Sequence, residues 1–294
     1  MANTSLPRGE PGQVLEAVAG YLRCPVCASP VRVAGGRVGC ERGHSFDIAR
    51  QGYVSLTSGR GGPGTGDSAE MVLARERFLG SGHYERLAEA IAGRAALAGR
   101  DSGPGIVIDL AGGTGYYLAR VLDALPERLG ACLDLSAPAL RRAARAHVRA
   151  AAIGADVWQP LPVADGAASL VMSVFGPRNA AEIRRVLVPG GALIVVTPAP
   201  DHLRELREPL GLIGIDERKT ERLADAYGDY TTEEVSVVRY SLALDHDGVA
   251  AVVAMGPSAR HIRAGELAAR VSTLPNPVMV TVNFEIRLLA RSGS

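Results

Sequence analysis

The stretch from Ile106 to Arg120 reads IVIDLAGGTGYYLAR, and it predicts a strand, a tight glycine turn and the start of a helix. Asp109 ends the β-branched run, and Gly112, Gly113 and Gly115 follow it. Glycine lets the backbone turn sharply and lets a ligand approach without a Cβ in between. A helix N-terminus also presents free N–H groups to electron-rich ligand atoms. Alone, this turn is compatible with NAD, with S-adenosyl-L-methionine (SAM) or with plain packing of a strand on a helix.

Alternating strand and helix patterns follow the turn, and they favour a parallel sheet covered by helices on both faces. The predicted strands are 106–109, 131–135, 168–174 and 192–197, and the predicted helices are 117–125, 137–152 and 180–187. Apolar residues at period two between Val278 and Leu288 predict a long antiparallel last strand, which pairs with residues 235–244 across a helix near 249–255. We therefore predict the Rossmann-like, seven-stranded α/β sheet of class I SAM-dependent methyltransferases, not the six-stranded sheet of NAD enzymes.

A metal site is predicted near the N-terminus. Cys24, Cys27, Cys40 and His44 have the spacing C-x2-C-x12-C-x3-H, and the segment between the pairs has the pattern of a short hairpin. Zinc needs four tetrahedral nitrogen or sulfur donors, which this zinc-ribbon spacing supplies. Because four protein ligands leave no open position for a catalytic water, the expected role of the zinc is structural. The alternative is a group of free or buried cysteines, since disulfides are not expected in a cytosolic chain.

Composition restricts the class of protein. No apolar run approaches the roughly 20 residues that span a bilayer. The first twenty residues lack the basic start and apolar block of a signal peptide, so we expect a cytoplasmic protein with no membrane partner. The net charge is +1, so a nucleic-acid-binding surface must be a local patch. Residues 1–60 carry seven arginines against four acidic residues, which suits an RNA backbone as well as it suits a solvated surface.

Acidic residues after successive strands distinguish between the cofactors. Asp134, at the end of the second strand, can hydrogen-bond both ribose hydroxyls of a nucleoside cofactor. DLAGGTG, which begins at Asp109, matches the D-x-G-x-G-x-G turn of SAM methyltransferases. Ala111 replaces the first glycine, which we expect to be tolerated if its φ is negative. Asp156 and Val157 lie where the methyltransferase pattern places a side chain beside the adenine amino group. Together these positions predict a SAM site.

Several longer motifs accompany the zinc set and the SAM turn. They are HSFDIARQGYVSL (44–56), GDSAEMVLARERFL (66–79), SGHY (81–84), GGTGYYLARVLDALPE (112–127), VFGPRN (174–179), TPAPDHLREL (197–206) and MGPSARH (255–261). With them the chain resembles the 23S rRNA guanine-N1 methyltransferases, including the actinomycete branch that confers resistance to macrolides such as tylosin and mycinamicin. The resemblance implies SAM-dependent methylation of N1 of a guanine in a 23S rRNA hairpin loop, with the zinc module helping to bind the hairpin. It also allows a homodimer.

The same resemblance implies roles for further residues. The SAM contacts it implies are Tyr84, Gly112, Gly113, Asp134, His202 and Leu203. The loop after the fourth strand lies where this fold usually places the methyl acceptor. There we predict that Arg178 contacts phosphate or stabilises the deprotonated base, and that Asn179 or a backbone carbonyl reads the guanine edge.

Three segments are predicted along the chain. Residues 1–58 form an N-terminal extension and a zinc-ribbon RNA-binding module, residues 59–100 a linker with connecting helices, and residues 101–294 the SAM-dependent methyltransferase domain. Two other functions stay open. One is a small-molecule methyltransferase, for example of antibiotic biosynthesis, and the other is a non-catalytic RNA-binding protein on a methyltransferase-like scaffold.

Overall fold

The computed structural model describes residues 13–58, 66–212, 230–262 and 264–291. A small antiparallel sheet contains β1 (Val31–Ala34), β2 (Arg37–Cys40) and β3 (Ser45–Asp47). The large sheet contains β4 (Val54–Ser55), β5 (Ile106–Leu110), β6 (Gly130–Asp134), β7 (Ala150–Gly154), β8 (Ala168–Val174), β9 (Leu187–Pro198), β10 (Tyr230–Leu244) and β11 (Val278–Arg291). The helices are α1 (Gln13–Val18), α2 (Ala69–Gly80), α3 (Glu85–Asp101), α4 (Tyr116–Ala124), α5 (Ala137–Ala143), α6 (Ala180–Val186), α7 (Arg204–Leu210), α8 (His246–Ala254) and α9 (Ala264–Val271). None of these helices has the length and apolar character needed to cross a membrane.

The large sheet has the strand order β10-β11-β9-β8-β5-β6-β7-β4. Its central strands are parallel, whereas β11 runs antiparallel to both β9 and β10. The predicted seven-stranded methyltransferase sheet with an antiparallel last strand is therefore confirmed. An eighth strand, β4, extends it by pairing in parallel with β7 at the edge. The sequence did not indicate β4 as part of this sheet, because two residues carry no periodicity.

Both faces of the large sheet are covered, as a parallel sheet requires. Apolar side chains of α2–α5 and α7–α9 pack on one face, and those of α1 and α6 pack on the other. The second face is also covered by the small sheet, through Val31 and Val38, which are 3% and 1% exposed. Two hydrogen-bonded connections join the N-terminal residues to the loop before β8: Leu22 bridges to Val163, and the N–H of Arg23 donates to the carbonyl of Pro162 at 3.0 Å. The zinc-ribbon segment thus takes the place of a covering helix. The predicted domain boundaries at 58 and 100 stay predictions.

One predicted helix is wrong. The sequence indicated a helix over 137–152, whereas α5 ends at Ala143 and β7 occupies Ala150–Gly154. Alanine is the strongest helix former, so AAAIG has no local preference for a strand. Every residue of β7 is buried, because the strand lies between β6 and β4 with both faces covered. Burial in the sheet, which only tertiary contacts establish, overrides the helix propensity here.

Arg149 holds the turn that leads into β7. Its side chain is buried, and Nη1 donates to the carbonyls of Leu125 and Arg128 at 2.7 Å each, while Nη2 donates to the carbonyl of Leu122. A helix leaves its last carbonyls without intrahelical partners, and a cation there is favoured by the helix dipole. Arg149 therefore caps α4 and ties its end to the start of β7.

We expect Arg149→Lys to lower the free energy of unfolding by about 1–3 kcal/mol, because an ammonium group cannot reach three carbonyls as the planar guanidinium does. Urea denaturation followed by circular dichroism measures the change. The matched control is Arg145→Lys at an exposed arginine whose Nε donates to the carbonyl of Arg141 at 3.2 Å, and we expect a change within about 0.5 kcal/mol. Equal effects of the two substitutions would contradict the capping role.

Candidate functional site

Four potential metal ligands converge at one end of the small sheet. The Sγ atoms of Cys24, Cys27 and Cys40 and a ring nitrogen of His44 all lie within 4.8 Å of one another. The two sulfurs of Cys27 and Cys40 are 3.7 Å apart, and Nδ1 of His44 is 3.6 Å from the Cys24 sulfur and 3.4 Å from the Cys40 sulfur. A tetrahedral zinc site separates two sulfurs by about 3.8 Å and a sulfur from a nitrogen by about 3.5 Å. The residues present therefore fit a zinc ion.

Two tight turns bring these ligands together. In the first turn, the N–H of Ala28 donates to the carbonyl of Cys24, and Ala28 has a positive φ of 58°. In the second turn, Gly43 has a φ of 84°, and the N–H of Cys40 donates to the carbonyl of His44. The hydrogen bond from Ser29 lowers the pKa of the Cys27 thiol to about 6, which favours the thiolate that binds metals.

A cavity of about 890 Å³ opens at the carboxyl ends of the central strands. It extends from the end of β7, past β6 and β5, to the ends of β8 and β9. Open α/β sheets bind ligands at this edge, at the point where the order of the strands reverses. All the residues predicted to bind SAM line it: Tyr84, Asp109, Gly112, Gly113, Asp134, Asp156, Val157, His202 and Leu203. Arg178 lines it as well.

Asn179 is not among the lining residues. It is the N-cap of α6, and its Oδ1 accepts a hydrogen bond from the N–H of Glu182 at 3.4 Å. Asparagine is favoured at this position because its side chain satisfies an N–H that the helix leaves unpaired. Its predicted catalytic role therefore stays a prediction for which the cavity gives no support.

The glycine turn packs against Asp109 and Cys132 through Gly112 and against Arg75 through Gly113. A Cβ at Gly112 would lie 2.5 Å from Oδ2 of Asp109 and 2.7 Å from Sγ of Cys132. Gly113 has a φ of 58°, and a Cβ there would lie 3.0 Å from Nη1 of Arg75. Neither position can take a side chain without displacing its neighbours, so the backbone itself forms the floor of the cavity.

Strained backbone is concentrated at the cavity. Ala111 has a φ of 53°, so the expectation of a negative φ there is wrong. The left-handed region costs a residue with a Cβ about 1–2 kcal/mol. Phe175 and Leu203 adopt it too, with φ of 59° and 52°, and both line the cavity beside Ala111. Among the described non-glycine residues with positive φ, Ala28 alone lies elsewhere. Such strain persists where the surroundings enforce it, typically at functional sites.

Two carboxyl groups lie beneath and beside the turn. Asp109 is 1% exposed, and its Oδ2 has no hydrogen-bond partner among the described residues. Burial, with a smaller contribution from the charge of Asp134, raises the pKa of Asp109 well above its usual range. Asp134 accepts hydrogen bonds from the N–H groups of Gly113 at 2.9 Å and Ser136 at 2.7 Å, and burial raises its pKa as well.

These carboxyl groups fit the chemistry of SAM. An ionised carboxylate has about four acceptor positions, so Asp134 keeps two for ribose hydroxyls after its backbone hydrogen bonds. The unpaired oxygen of Asp109 is a position that a cationic or hydrogen-bond-donating ligand would stabilise. SAM carries a sulfonium, an ammonium group and two ribose hydroxyls, and the residues present therefore fit it.

The buried Tyr84 and the half-buried His202 form a pair on another wall of the cavity. The Tyr84 hydroxyl is 3.3 Å from Nε2 of His202, while Nδ1 of His202 accepts from the N–H of Asn283 at 3.3 Å. Burial, with a contribution from Arg207, lowers the pKa of His202 to about 4, so its ring is neutral. With Nδ1 as the acceptor, Nε2 carries the proton and donates it to Tyr84. The Tyr84 hydroxyl can then donate to a ligand in the cavity.

The rim of the cavity holds residues whose function the sequence did not indicate. Asp67 forms an ion pair with Arg75 at 2.5 Å and lies 3.7 Å from Arg260. Arg75 also donates to the carbonyl of Met255 at 3.0 Å. This cluster joins the motifs GDSAEM and MGPSARH, which are far apart in the chain. The sequence shows both motifs, but only the fold shows that they are in contact.

Comparisons with known proteins agree with both parts of the chain. Residues 22–57 match the family described as RlmA, N-terminal, and residues 107–191 match the family described as Methyltransferase domain. The 23S rRNA (guanine(748)-N(1))-methyltransferase of Streptomyces fradiae is 48% identical over 273 residues, which cover 92% of this chain and 97% of that protein. The chain belongs to the 23S rRNA (guanine-N1)-methyltransferase family.

Further comparisons support this methyltransferase assignment. A protein of Micromonospora griseorubida, named as a candidate 23S rRNA (guanine-N(1)-)-methyltransferase, is 48% identical over 278 residues, or 89% of this chain and 94% of its own length. The solved structure of the YcgJ protein from Bacillus subtilis covers 70% of this chain and 99% of its own with a TM-score of 0.50, and at 11% identity it supports the fold alone. The predicted family and fold class, and the cofactors SAM and structural zinc, are confirmed.

We expect the purified methyltransferase to contain about one zinc ion per chain, and Cys40→Ser to lose it, because three ligands hold zinc far more weakly than four. Elemental analysis after gel filtration measures the zinc content. Cys132→Ala is the matched control, because Cys132 lies outside the cluster and should leave the zinc content unchanged. Retention of a full equivalent of zinc by Cys40→Ser would contradict the site.

We also expect Asp109→Asn to stabilise the ligand-free methyltransferase at pH 8 by about 0.5–2 kcal/mol, because it removes a buried charge that lacks a partner. The pKa of Asp109 is raised in the folded protein, so the ionised form is less stable there than in the unfolded chain. The stabilisation should therefore vanish at acidic pH and grow as the pH rises above the usual value of an aspartate. Urea denaturation across pH measures it.

The same variant should bind SAM at least about tenfold more weakly, because it removes a negative charge beneath the turn that attracts the cationic groups of SAM, and two charges about 4 Å apart attract by about 1–4 kcal/mol. Isothermal titration calorimetry measures this affinity. Glu127→Gln, which removes an exposed carboxylate from a loop outside the cavity, is the control and should change neither quantity. Lower stability together with unchanged SAM affinity would refute the assignment of Asp109.

Proposed function

We propose that this protein transfers the methyl group of SAM to N1 of a guanine in a 23S rRNA hairpin, at the position that corresponds to guanine 748 of the Streptomyces fradiae relative. The observation that carries the proposal is the reach of the cavity, which extends from the residues after β6 and β7 to the loop after β8, where Arg178 lines it. The near-complete overlap with that relative, which includes the zinc ribbon, supports the same substrate.

The strand order divides the cavity into two regions. Asp134 ends β6 and Asp156 follows β7, both on one side of β5, and we propose that they bind the ribose and the adenine. Asp156 is oriented by the N–H of Trp158, which donates to its Oδ1 at 3.0 Å. The loop after β8 lies on the other side of β5, so this region is left for the methyl acceptor.

The glycine turn lies between these two regions, and we propose that it holds the methionine part of SAM. Gly112 and Gly113 give a close approach to the backbone, Asp109 supplies negative charge, and the Tyr84 hydroxyl donates to the ligand. His202 orients Tyr84, and Leu203 adds an apolar side chain to the wall of the cavity. When bound, SAM supplies an electrophilic methyl group on its sulfonium, and the protein mainly aligns donor and acceptor.

The acceptor region suits an RNA base and its backbone. Arg178 lines it, and an arginine at this place can contact phosphate or stabilise the negative charge that develops when N1 of guanine loses its proton. Because the side chain of Asn179 caps α6, we propose that backbone carbonyls of the loop over 175–178 read the guanine edge instead. A stacked or paired guanine must leave its helix to reach this depth.

Three further features of the proposal follow from the resemblance and the family. We propose that the protein acts in the cytoplasm, where 23S rRNA is found, and that the methyl group reduces macrolide binding to the ribosome. The zinc ribbon would contact the hairpin through its arginines. A homodimer stays a prediction.

Primer extension on 23S rRNA from a strain without this methyltransferase tests the proposal. After incubation with the protein and SAM, we expect one new stop at a guanine, because methylated N1 blocks Watson–Crick pairing. Arg178→Ala should lower the initial rate at least about tenfold. Arg145→Ala, at an exposed arginine outside the cavity, is the control and should retain the wild-type rate.

Other results would favour the alternatives. Methylation of small aromatic acceptors without any stop on rRNA would favour a small-molecule methyltransferase. Calorimetry that detects RNA binding but no SAM binding would favour a non-catalytic scaffold. A stop of unchanged strength with Arg178→Ala would remove Arg178 from the acceptor region.

A further inference from the structure

Phe175 combines a strained backbone with an exposed aromatic ring. Its φ of 59° lies in the left-handed region, and 43% of the residue is exposed although it is apolar. It is the first residue after β8 and lines the cavity in the acceptor region. None of the roles assigned above uses its ring.

The surrounding loop enforces this conformation. The N–H of Phe175 donates to the carbonyl of Val196 at 3.1 Å, which fixes its backbone to β9. The buried hydroxyl of Ser173 is 3.4 Å from the carbonyl oxygen of Gly176 and 3.5 Å from that of Pro177. A Cβ on Gly176 would lie 2.9 Å from the carbonyl oxygen of Leu110, so the loop passes close over β5. Three hydrogen bonds and the close passage of Gly176 over β5 therefore hold an unfavourable backbone in place, and they fix the direction of the Phe175 side chain.

The ring is also held from its inner side. Its centroid is 5.0 Å from that of Phe284 at an angle of 43°, and 6.3 Å from that of Tyr117 in an edge-on arrangement. Phe284 is itself buried and packs edge-on against Tyr84. Ring packing of this kind restricts the orientation of Phe175, while a large part of its surface still faces the cavity.

The cofactor does not account for this ring. The aromatic part of SAM is its adenine, and the residues that suit adenine lie after β7, where Trp158 supplies an exposed ring next to Asp156. Phe175 follows β8, on the opposite side of β5. A second planar ligand bound on the β8 side of β5 would cover its exposed face. The proposed substrate supplies one, since an extruded base loses its stacking partners and proteins replace them with aromatic side chains.

We propose that Phe175 is the stacking platform for the target guanine, and that its left-handed backbone serves to present the ring to the base. This inference rests on the proposed function and deepens it. Stacking fixes the plane of the guanine, so that N1 at its edge points towards the methyl group over the glycine turn. Phe175 thus positions the acceptor, and Arg178 in the same loop supplies charge.

Four substitutions of Phe175 separate stacking from packing. We expect Phe175→Leu and Phe175→Ala to lower kcat/KM for rRNA about 10- to 100-fold, the range found when base–aromatic stacking is removed. Phe175→Tyr should stay within about threefold of the wild type, because it keeps the π face. Phe175→Gly relaxes the left-handed backbone and should lose as much activity as Phe175→Ala. The affinity for SAM, measured by calorimetry, should change less than about twofold in all four.

Three outcomes would overturn the proposal. Equal activity of Phe175→Leu and Phe175→Tyr would mean that the ring only fills space against Phe284. A loss of SAM affinity equal to the loss of activity would place the ring in the cofactor site. If the wild-type protein leaves 23S rRNA unmethylated, the proposed function fails and the platform fails with it, whereas in the first two outcomes the proposed function stands.

Discussion

The carboxyl group of Asp109, buried at the end of the central strand, is the constraint on which the site depends. One of its oxygens lacks a hydrogen-bond partner among the described residues, and a neighbouring carboxyl group of Asp134 adds repulsion. Folding alone does not compensate this cost, and the proposed binding of SAM would place a cation near it. Gly112 is required next to it because a Cβ would collide with the same carboxylate. The turn and the acid are therefore packed as one unit.

The strained backbone lies at the same cavity as this unpaired carboxyl group. Ala111, Phe175 and Leu203 hold left-handed backbones at the cavity. The N–H of Phe175 donates to the carbonyl of Val196 in β9, and that of Leu203 donates to the carbonyl of Thr281 in β11, so contacts with other strands fix two of these conformations. Packing of the sheet and its two apolar layers stabilises the fold, and part of this free energy offsets the cost of the unfavourable backbone conformations around the cavity. Strain and unpaired charge at the same place distinguish a binding site from an ordinary gap in packing, which would be relaxed and apolar.

Sequence predicted those features that depend on local spacing. The zinc ligands, most of the strands and the turn after β5 follow from residues that are close in the chain, and Asp134 follows from the end of the next strand. Features that depend on tertiary contacts were missed. The alanines of β7 favour a helix by propensity, and only the two neighbouring strands that bury them make this segment a strand. The positive φ of Ala111 is imposed by the turn around it. Nothing in the sequence VFGPRN reveals that the backbone of Phe175 is left-handed.

The zinc ribbon and the cavity are joined through β7. Its last residues pair with β4, which leaves the zinc module, and the N–H of Leu56 donates to the carbonyl of Gly154 at 2.8 Å. The very next residues, Ala155–Val157, form the wall of the cavity proposed to hold the adenine. A Cβ on Gly154 would lie 3.0 Å from the Cα of Ser55, so the two strands are in close contact. An RNA hairpin held by the ribbon would therefore lie at a fixed position relative to SAM. The distance along the hairpin from the ribbon to the methyl group, and not the motion of a domain, would then select the guanine that is methylated.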